Sequence, residues 1–307
     1  MVMVDVPGHF GLALGNVVET DSALATKTGA AVDPHALKAA IVERAHELGF
    51  DLVRFAKVGA MPETLAVLEE RIDAGLLSGL TWFTKERARV ASDPRNLMAN
   101  ARTAVSLGIS YLRSGEYTPS KPGEPRGKVA RYAWGLDYHE VFKGKLVALH
   151  EFVQERLGRP VEARTLVDTA RIVDRAVAER AGMGWFGKNS NILTRERGSW
   201  ILLGELLLDV ELPVDEPVRT NCGSCTRCMP ACPTGAIIAP GVVNSDRCIS
   251  YLTIELKGPI PREMRPLIGD WVFGCDICQD VCPVNRKAAP GGTLSFRRRW
   301  GLARALC

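Results

Sequence analysis

CGSCTRCMPACP, residues 222–233, places cysteines at Cys222, Cys225, Cys228 and Cys232, with Pro233 directly after the last. The spacing C-x2-C-x2-C-x3-C-P is that of bacterial ferredoxins, in which the fourth cysteine of the run ligates the neighbouring cluster. Soft thiolates select iron and sulfide, the short intervals wrap one cubane, and the proline turns the chain away after the fourth ligand. Structural zinc needs only four cysteines and typically shows two separated C-x2-C pairs.

Downstream, Cys275, Cys278, Cys282 and Pro283 repeat the last three places of the pattern, but the first place falls on Val272, which cannot ligate iron. Cys248 is the only cysteine left between the runs and completes eight. The crossing rule of ferredoxins then assigns Cys222, Cys225, Cys228 and Cys282 to one 4Fe-4S cluster, and Cys232, Cys248, Cys275 and Cys278 to the other. Cys307 is read as a bystander.

Eight of nine cysteines within 61 positions of a 307-residue chain make metal ligation far more natural than disulfides in a reducing compartment. The length is ample for about two domains, and 46% apolar with 24% charged residues excludes a largely disordered or fibrous chain. No apolar run reaches the 18 or so residues of a membrane span, and no secretory or twin-arginine signal is visible, so a cytoplasmic protein without membrane contact is expected. A net charge of +4 is compatible with a nucleic-acid partner without requiring one.

Upstream of the cysteines, helical and strand patterns interleave. Residues 1–32 have no sustained period and read as a loose leader. Asp33 and Pro34 start a helix whose apolar face is Leu37, Ile41, Ala45 and Leu48, ended by Gly49. A strand at Leu52–Ala56, a helix at Pro62–Ala74, a buried strand at Ala104–Tyr111 and a loop at Arg113–Lys128 follow. Tyr138–Leu157 reads as a helix ending at Gly158, and Val161 to Val167 alternate as a strand with Asp168 at its end. A helix at about Thr169–Ala181, a glycine turn at Gly182–Gly187 and a buried strand at Trp200–Leu208 complete an α+β domain over residues 33–212. The stretch Leu212–Thr220 is the linker to a cysteine domain over 213–286, and residues 287–307 form a tail. Gly182, Gly184 and Gly187 spell G-x-G-x-x-G, but a helix precedes them and no helix follows, which is the wrong context for a dinucleotide.

Several segments together resemble the epoxyqueuosine reductase family: RYAWGLDYH (Arg131–His139), VDTARIVDRAVAERAGMGWFGKN (Val167–Asn189), GSWILLGELLLD (Gly198–Asp209), RCISYLTIELKG (Arg247–Gly258) and FGCDICQDVCP (Phe273–Pro283). The resemblance covers roughly residues 33–285. It implies a nitroreductase-like cobalamin-binding domain followed by a ferredoxin-like domain with two 4Fe-4S clusters. The implied reaction is reduction of epoxyqueuosine at the tRNA wobble position to queuosine, the last step of queuosine biosynthesis. It further implies a low-potential donor such as ferredoxin or flavodoxin, and a monomer. The family's proton donor falls on Asp168 of the VDT motif; from the residues alone, an aspartate there also reads as a helix N-cap. An acid working at neutral pH calls for a raised pKa, supplied by burial against the corrin. Asp137 of the DYH motif is the rival acid. By motif position the resemblance assigns corrin contacts to Ala130, Asp168, Ile192, Leu203, Ser250, Cys275 and Asp276. Arg89 matches a family arginine with the spacing longer by two, and Lys257 and Arg175 are candidates for RNA phosphate. Two departures stand out: Ala99-Asn100 replaces the family's Pro-Gly, and the chain stops some 25 residues after Cys282, where relatives often carry a helical-repeat extension that grips tRNA. The Arg297–Arg299 and Trp300 tail reads as frayed rather than as an RNA contact. The rival readings are a reductive dehalogenase, sharing the cofactor pair, and a non-catalytic ferredoxin-type electron-transfer module.

Overall fold

The computed structural model describes residues 32–113, 121–124 and 126–291. The leader, residues 114–120 and 125 of the 113–128 loop, and the tail with Cys307, Arg297–Arg299 and Trp300 lie outside these residues.

Asp33 caps α1 (Pro34–Glu47), its carboxylate accepting from the His35 and Ala36 amides. β1 (Leu52–Lys57), α2 (Pro62–Asp73), α3 (Lys85–Ala91) and β2 (Thr103–Ser110) follow, then the two-residue β3 (Lys128–Val129) and the long α4 (Tyr138–Leu157). After β4 (Ala163–Leu166) come α5 (Asp174–Arg180), β5 (Trp185–Phe186), β6 (Ile192–Leu193) and β7 (Ile201–Leu208). Four strands form one antiparallel sheet in the order β1-β2-β7-β4. Leu206 and Leu208 point to the face covered by α1 and α4, where Ile41, Phe142, Leu146 and Leu149 are fully buried. Leu203 and Leu207, on the opposite face, pack under α5 against Ala176, Val177 and Ala178. Alternation of side chains along β7 thus builds a helix-covered core on one side and, on the other, the floor on which the site is built.

Two expectations change. The helix expected from Thr169 starts only at Asp174. Asp168 adopts φ +38°, Ile172 is drawn into the core, and the Val173 amide donates to the Ala91 carbonyl at 3.3 Å, so tertiary contacts displace the first helical turn. The glycine stretch Gly182–Gly187 is not all turn: β5 pairs with β6 as a hairpin. A Cβ on Gly184 would collide with the Leu193 carbonyl oxygen. A helix before and a hairpin after these glycines leave no place for a dinucleotide turn.

The segment Leu212–Thr220 does more than link. Asp215 accepts from the Phe55 amide at 2.8 Å, donates its own amide to the Phe55 carbonyl at 2.8 Å and pairs with Lys38 at 2.6 Å, which covers part of the edge of β1. The cysteine region contains α6 (Cys228–Ala231), β8 (Ile237–Ala239), β9 (Val242–Val243), α7 (Ile249–Ile254), α8 (Arg265–Ile268), β10 (Trp271–Phe273) and α9 (Ile277–Asp280). β10 pairs in parallel with β3 from the first half of the chain, so the second cysteine run is zipped onto the α+β domain. Among the described residues no helix is long and apolar enough to cross a membrane.

Candidate active site

The cysteines are placed by short local turns. Cys225 donates its amide to the Cys222 carbonyl at 3.1 Å, Cys228 opens α6, and Cys248 stands at the N-terminal end of α7. All eight thiols from Cys222 to Cys282 are free and partly buried. They fall into two sets. Cys228 feels the charges of Cys222, Cys282 and Cys225; Cys275 feels Cys248 and Cys232; and Cys278 feels Cys275 and Cys248 most strongly. Cys278 also feels Cys228, from the set that the crossing rule keeps apart from it. Burial pushes the Cys275 thiol up to about 12 and Cys278 higher still, with like charges adding. Thiols so desolvated ionise only against a strong local positive charge, as iron supplies.

One set borders a cavity of about 790 Å³. Cys232, Cys248, Cys275 and Cys278 line it together with Asp168, Ile192, Leu203 and Ser250. Cys222, Cys225, Cys228 and Cys282 do not line it. The lining is largely apolar, as suits a broad flat ligand. The Tyr132 hydroxyl, also in the wall, is buried without a hydrogen-bond partner among the described residues, and such an orphan fits a polar group of a bound ligand. Of the seven expected contacts, six face the cavity. Ala130 does not. It is 1% exposed and packs behind the second cysteine run, where a Cβ on Gly274 would meet its own Cβ at 2.6 Å. Its small size serves that packing.

Asp276 is lodged under the cavity by Arg131, whose amide and guanidinium reach the same carboxylate oxygen at 2.9 and 3.0 Å. Arg131 also pairs with Asp280 at 2.7 Å. Gln279 accepts from the Tyr111 hydroxyl and the Ser199 hydroxyl, each at 2.9 Å, and Asn285 donates to Ser199 at 2.9 Å. Sequence reading missed this buried network, which binds the second cysteine run to the α+β domain. Its partners stand 80 or more positions apart, so no local signal marks them.

Asp168 is not an N-cap, since Val173 occupies that place for α5. Asp137 is the capping aspartate, accepting from the His139 amide at 3.0 Å at the start of α4. Tyr138, second in the same turn, donates its hydroxyl to Asp168 Oδ2 at 2.5 Å, and His139 Nε2 lies 3.4 Å from that oxygen. His139 Nδ1 is 2.8 Å from Asp137 Oδ1. Burial raises the Asp168 pKa, but the nearby His139 imidazole, whose Nε2 approaches at 3.4 Å without hydrogen-bond geometry, and the Tyr138 hydroxyl favour the carboxylate, and in the open cavity the result is a value below the ordinary one. The Asp168 contact instead raises His139, against the opposing effect of its burial, with Asp137 adding to it. Arg175 lines the cavity and donates to the Ser190 carbonyl at 2.9 Å. Arg89 pairs with Glu69 at 2.9 Å, away from the cavity, and Lys257 is exposed elsewhere.

Residues 221–285 match the model of a "4Fe-4S double cluster binding domain", and residues 92–169 match "Epoxyqueuosine reductase QueG, DUF1730". The epoxyqueuosine reductase of Cellulophaga algicola is 41% identical over 250 residues, 81% of this chain and 79% of the relative. A crystal structure of epoxyqueuosine reductase with an epoxyqueuosine-modified tRNA-Tyr stem loop superposes with a TM-score of 0.77 at 37% identity, over 83% of this chain and 66% of that one. The Bacillus subtilis enzyme, caught with its catalytic aspartate loop swung out of the active site, gives 0.80 at 34% identity, over 87% of this chain and 70% of that one. A reductive dehalogenase gives 0.53 at 17% identity, over 85% of this chain and 34% of that one, which is a likeness of fold alone.

Proposed function

The chain belongs to the epoxyqueuosine reductase family, and from this premise we propose that it reduces epoxyqueuosine in tRNA to queuosine, with Asp168 supplying a proton. The observation that carries the reading is that Asp168 and Cys232, Cys248, Cys275 and Cys278 line one cavity. The reaction consumes two electrons and two protons, opening the epoxide to an alkene and releasing its oxygen as water. It needs an electron path and an acid on either side of one ligand.

Cobalamin fits the cavity, and when bound it supplies low-potential cobalt chemistry between clusters and substrate. Ile192 and Leu203 offer the apolar wall, Ser250 and the Tyr132 hydroxyl the polar contacts, and Cys275 and Asp276 the edge next to the cluster. Asp168 faces the same space and protonates the departing oxygen. Cys232, Cys248, Cys275 and Cys278 hold the 4Fe-4S cluster nearest the ligand, and Cys222, Cys225, Cys228 and Cys282 hold the outer one, as their mutual charge effects support. Electrons enter at the outer set from a low-potential carrier such as ferredoxin or flavodoxin. We place the reaction in the cytoplasm, with its tRNA substrate, and assign it to a monomer, since cavity, acid and all eight thiols come from one chain. The domain boundaries follow the same division: residues 33–212 carry the acid and most of the floor, and residues 213–286 carry the clusters.

The test is anaerobic reaction of the cluster-loaded protein with cobalamin, a low-potential reductant and tRNA bearing epoxyqueuosine, followed by mass spectrometry of the digested nucleosides. Cobalamin-dependent loss of one oxygen atom is expected; no conversion with intact clusters and retained cobalamin would overturn the reading. Asp168→Asn should keep iron and cobalamin content while turnover drops about 10²- to 10⁴-fold, the usual span of general acid catalysis.

A further inference from the structure

We propose that the proton used by Asp168 is stored on His139 while the cavity is open and passes to Asp168 when the cavity is filled. The inference rests on the role given to Asp168 above and adds a second residue to it. His139 spans two carboxylates: Nδ1 lies 2.8 Å from Oδ1 of Asp137, whose side chain is 63% exposed, and Nε2 lies 3.4 Å from Oδ2 of Asp168, whose side chain is 12% exposed. The imidazole therefore connects a solvent-facing carboxylate with one in the cavity wall. It is stacked on the Tyr138 ring at 4.1 Å, which fixes its plane.

The groups in contact with this pair are acidic or neutral, with two cations nearby: Arg87, which reaches the Thr169 carbonyl at 3.5 Å, and Arg175 of the cavity lining, which is turned to the Ser190 carbonyl. Asp137 and Tyr138 come from the start of α4, Tyr132 from the turn before it, Asp168 from the loop after β4 and Asp174 from the start of α5. Burial holds the Tyr138 phenol far above its ordinary pKa, so Tyr138 remains a donor to Asp168 and carries no exchangeable charge at neutral pH. Geometry and charge together put the proton on His139 and leave Asp168 ionised in the open site.

Filling the cavity removes water from Asp168, and a charged pair loses more by desolvation than the neutral pair made by moving one proton. The proton goes from His139 Nε2 to Asp168 Oδ2, and the Asp168 carboxyl then gives it to the departing substrate oxygen, returning to carboxylate. Neutral His139 takes a new proton from solvent beside Asp137. His139 is thus a positioning residue that acts through Asp168, and it resolves how a carboxylate whose pKa is lowered in the open site can serve as an acid.

Two measurements test this. The chain has five histidines, and NMR titration of ring-labelled histidine in the cluster-loaded protein without cobalamin should show His139 titrating above the ordinary value of about 6.5. In Asp168→Asn that midpoint should fall. The pH dependence of single-turnover reduction is the second readout. Wild type should lose rate only at pH above the His139 midpoint, whereas His139→Asn should be slower by about 10²-fold at neutral pH and recover as pH falls toward the carboxylate range. A uniform loss at every pH, or an unshifted limb in His139→Asn, would overturn the inference while leaving Asp168 as the acid. An Asp168→Asn variant with undiminished rate would instead sink the reading beneath it.

Discussion

The two sets of four thiols share one ligand chemistry and differ in everything around it. Segments 217–231 and 282–291, which supply the outer set, and segment 186–195, which also lines the cavity, carry Lys188, Arg195, Arg219, Arg227, Arg286 and Lys287, with Glu196, Asp215, Glu216 and Asp280 within two residues of their ends. Lys188 reaches across to the Gly223 carbonyl at 2.7 Å, tying segment 186–195 to the cysteine loop. The cavity-side set has Asp246, Glu255, Asp276 and Asp280 in its own segments, with Asp276 buried and paired to Arg131. Exposed cations near the outer set in sequence, and a cavity lined by the inner set, distinguish the two. On the function proposed above, an acidic protein carrier would dock at the outer set, with the inner set toward the substrate.

The comparison breaks most visibly by removing one ligand from each set. Cys248→Ser and Cys222→Ser should each lower the iron content by about four atoms. With a protein carrier as reductant, both should cut turnover at least about 10³-fold. With a small-molecule reductant such as dithionite, which needs no docking surface, Cys222→Ser should regain much of its rate and Cys248→Ser none. Iron analysis with the two reductants side by side decides it. Equal behaviour of the variants under dithionite would mean that the inner set is not the one that serves the cavity.

A gentler change sharpens the same contrast. Arg227→Glu combined with Arg286→Glu should weaken reduction by an acidic carrier about tenfold at low salt, through a slower encounter. The difference should shrink as ionic strength approaches 1 M, where the screening length is about 3 Å. Reduction by dithionite should be unchanged. If the double variant instead weakens tRNA binding and leaves carrier reduction alone, these arginines belong to an RNA surface.

How much of this was legible beforehand divides along the same line. Three ligands of the outer set, Cys222, Cys225 and Cys228, are read from one twelve-residue run because their spacing is local, whereas Cys282 comes from the second run and is assigned only by the ferredoxin crossing rule. α1 and α4 announce themselves through Asp33, Gly158 and an apolar period, and the α+β alternation follows. The cavity is non-local and was legible only through resemblance. Ala130 sits next to a motif arginine yet packs behind the site, because register between β3 and β10 sets its direction. The helix expected at Thr169 lost its first turn to the Val173–Ala91 hydrogen bond. His139 and Tyr138 stood in a quoted motif, but their partner Asp168 is 30 positions from Tyr138, and nothing in the spacing marks the contact.

A third region, touching neither thiol set, calibrates these effects. Glu205 lies at the centre of β7, fully buried, opposite Ser106 of β2, and neither side chain has a hydrogen-bond partner among the described residues. Burial raises its pKa well above the ordinary glutamate value, and the Asp174 charge adds to the shift. The folded state therefore holds this proton more tightly than the unfolded state. Its contribution to stability is complete below the ordinary glutamate pKa and declines as pH climbs through the window above it. Glu205→Gln keeps the shape and has no proton to lose, so it should melt near wild type at about pH 5 and increasingly above it toward pH 8, by about 2 °C or more. Iron content and both reductant-dependent rates should not change. Parallel melting curves would mean that Glu205 is not held neutral by burial, and altered rates would mean that the floor of the sheet reaches the cavity chemistry after all.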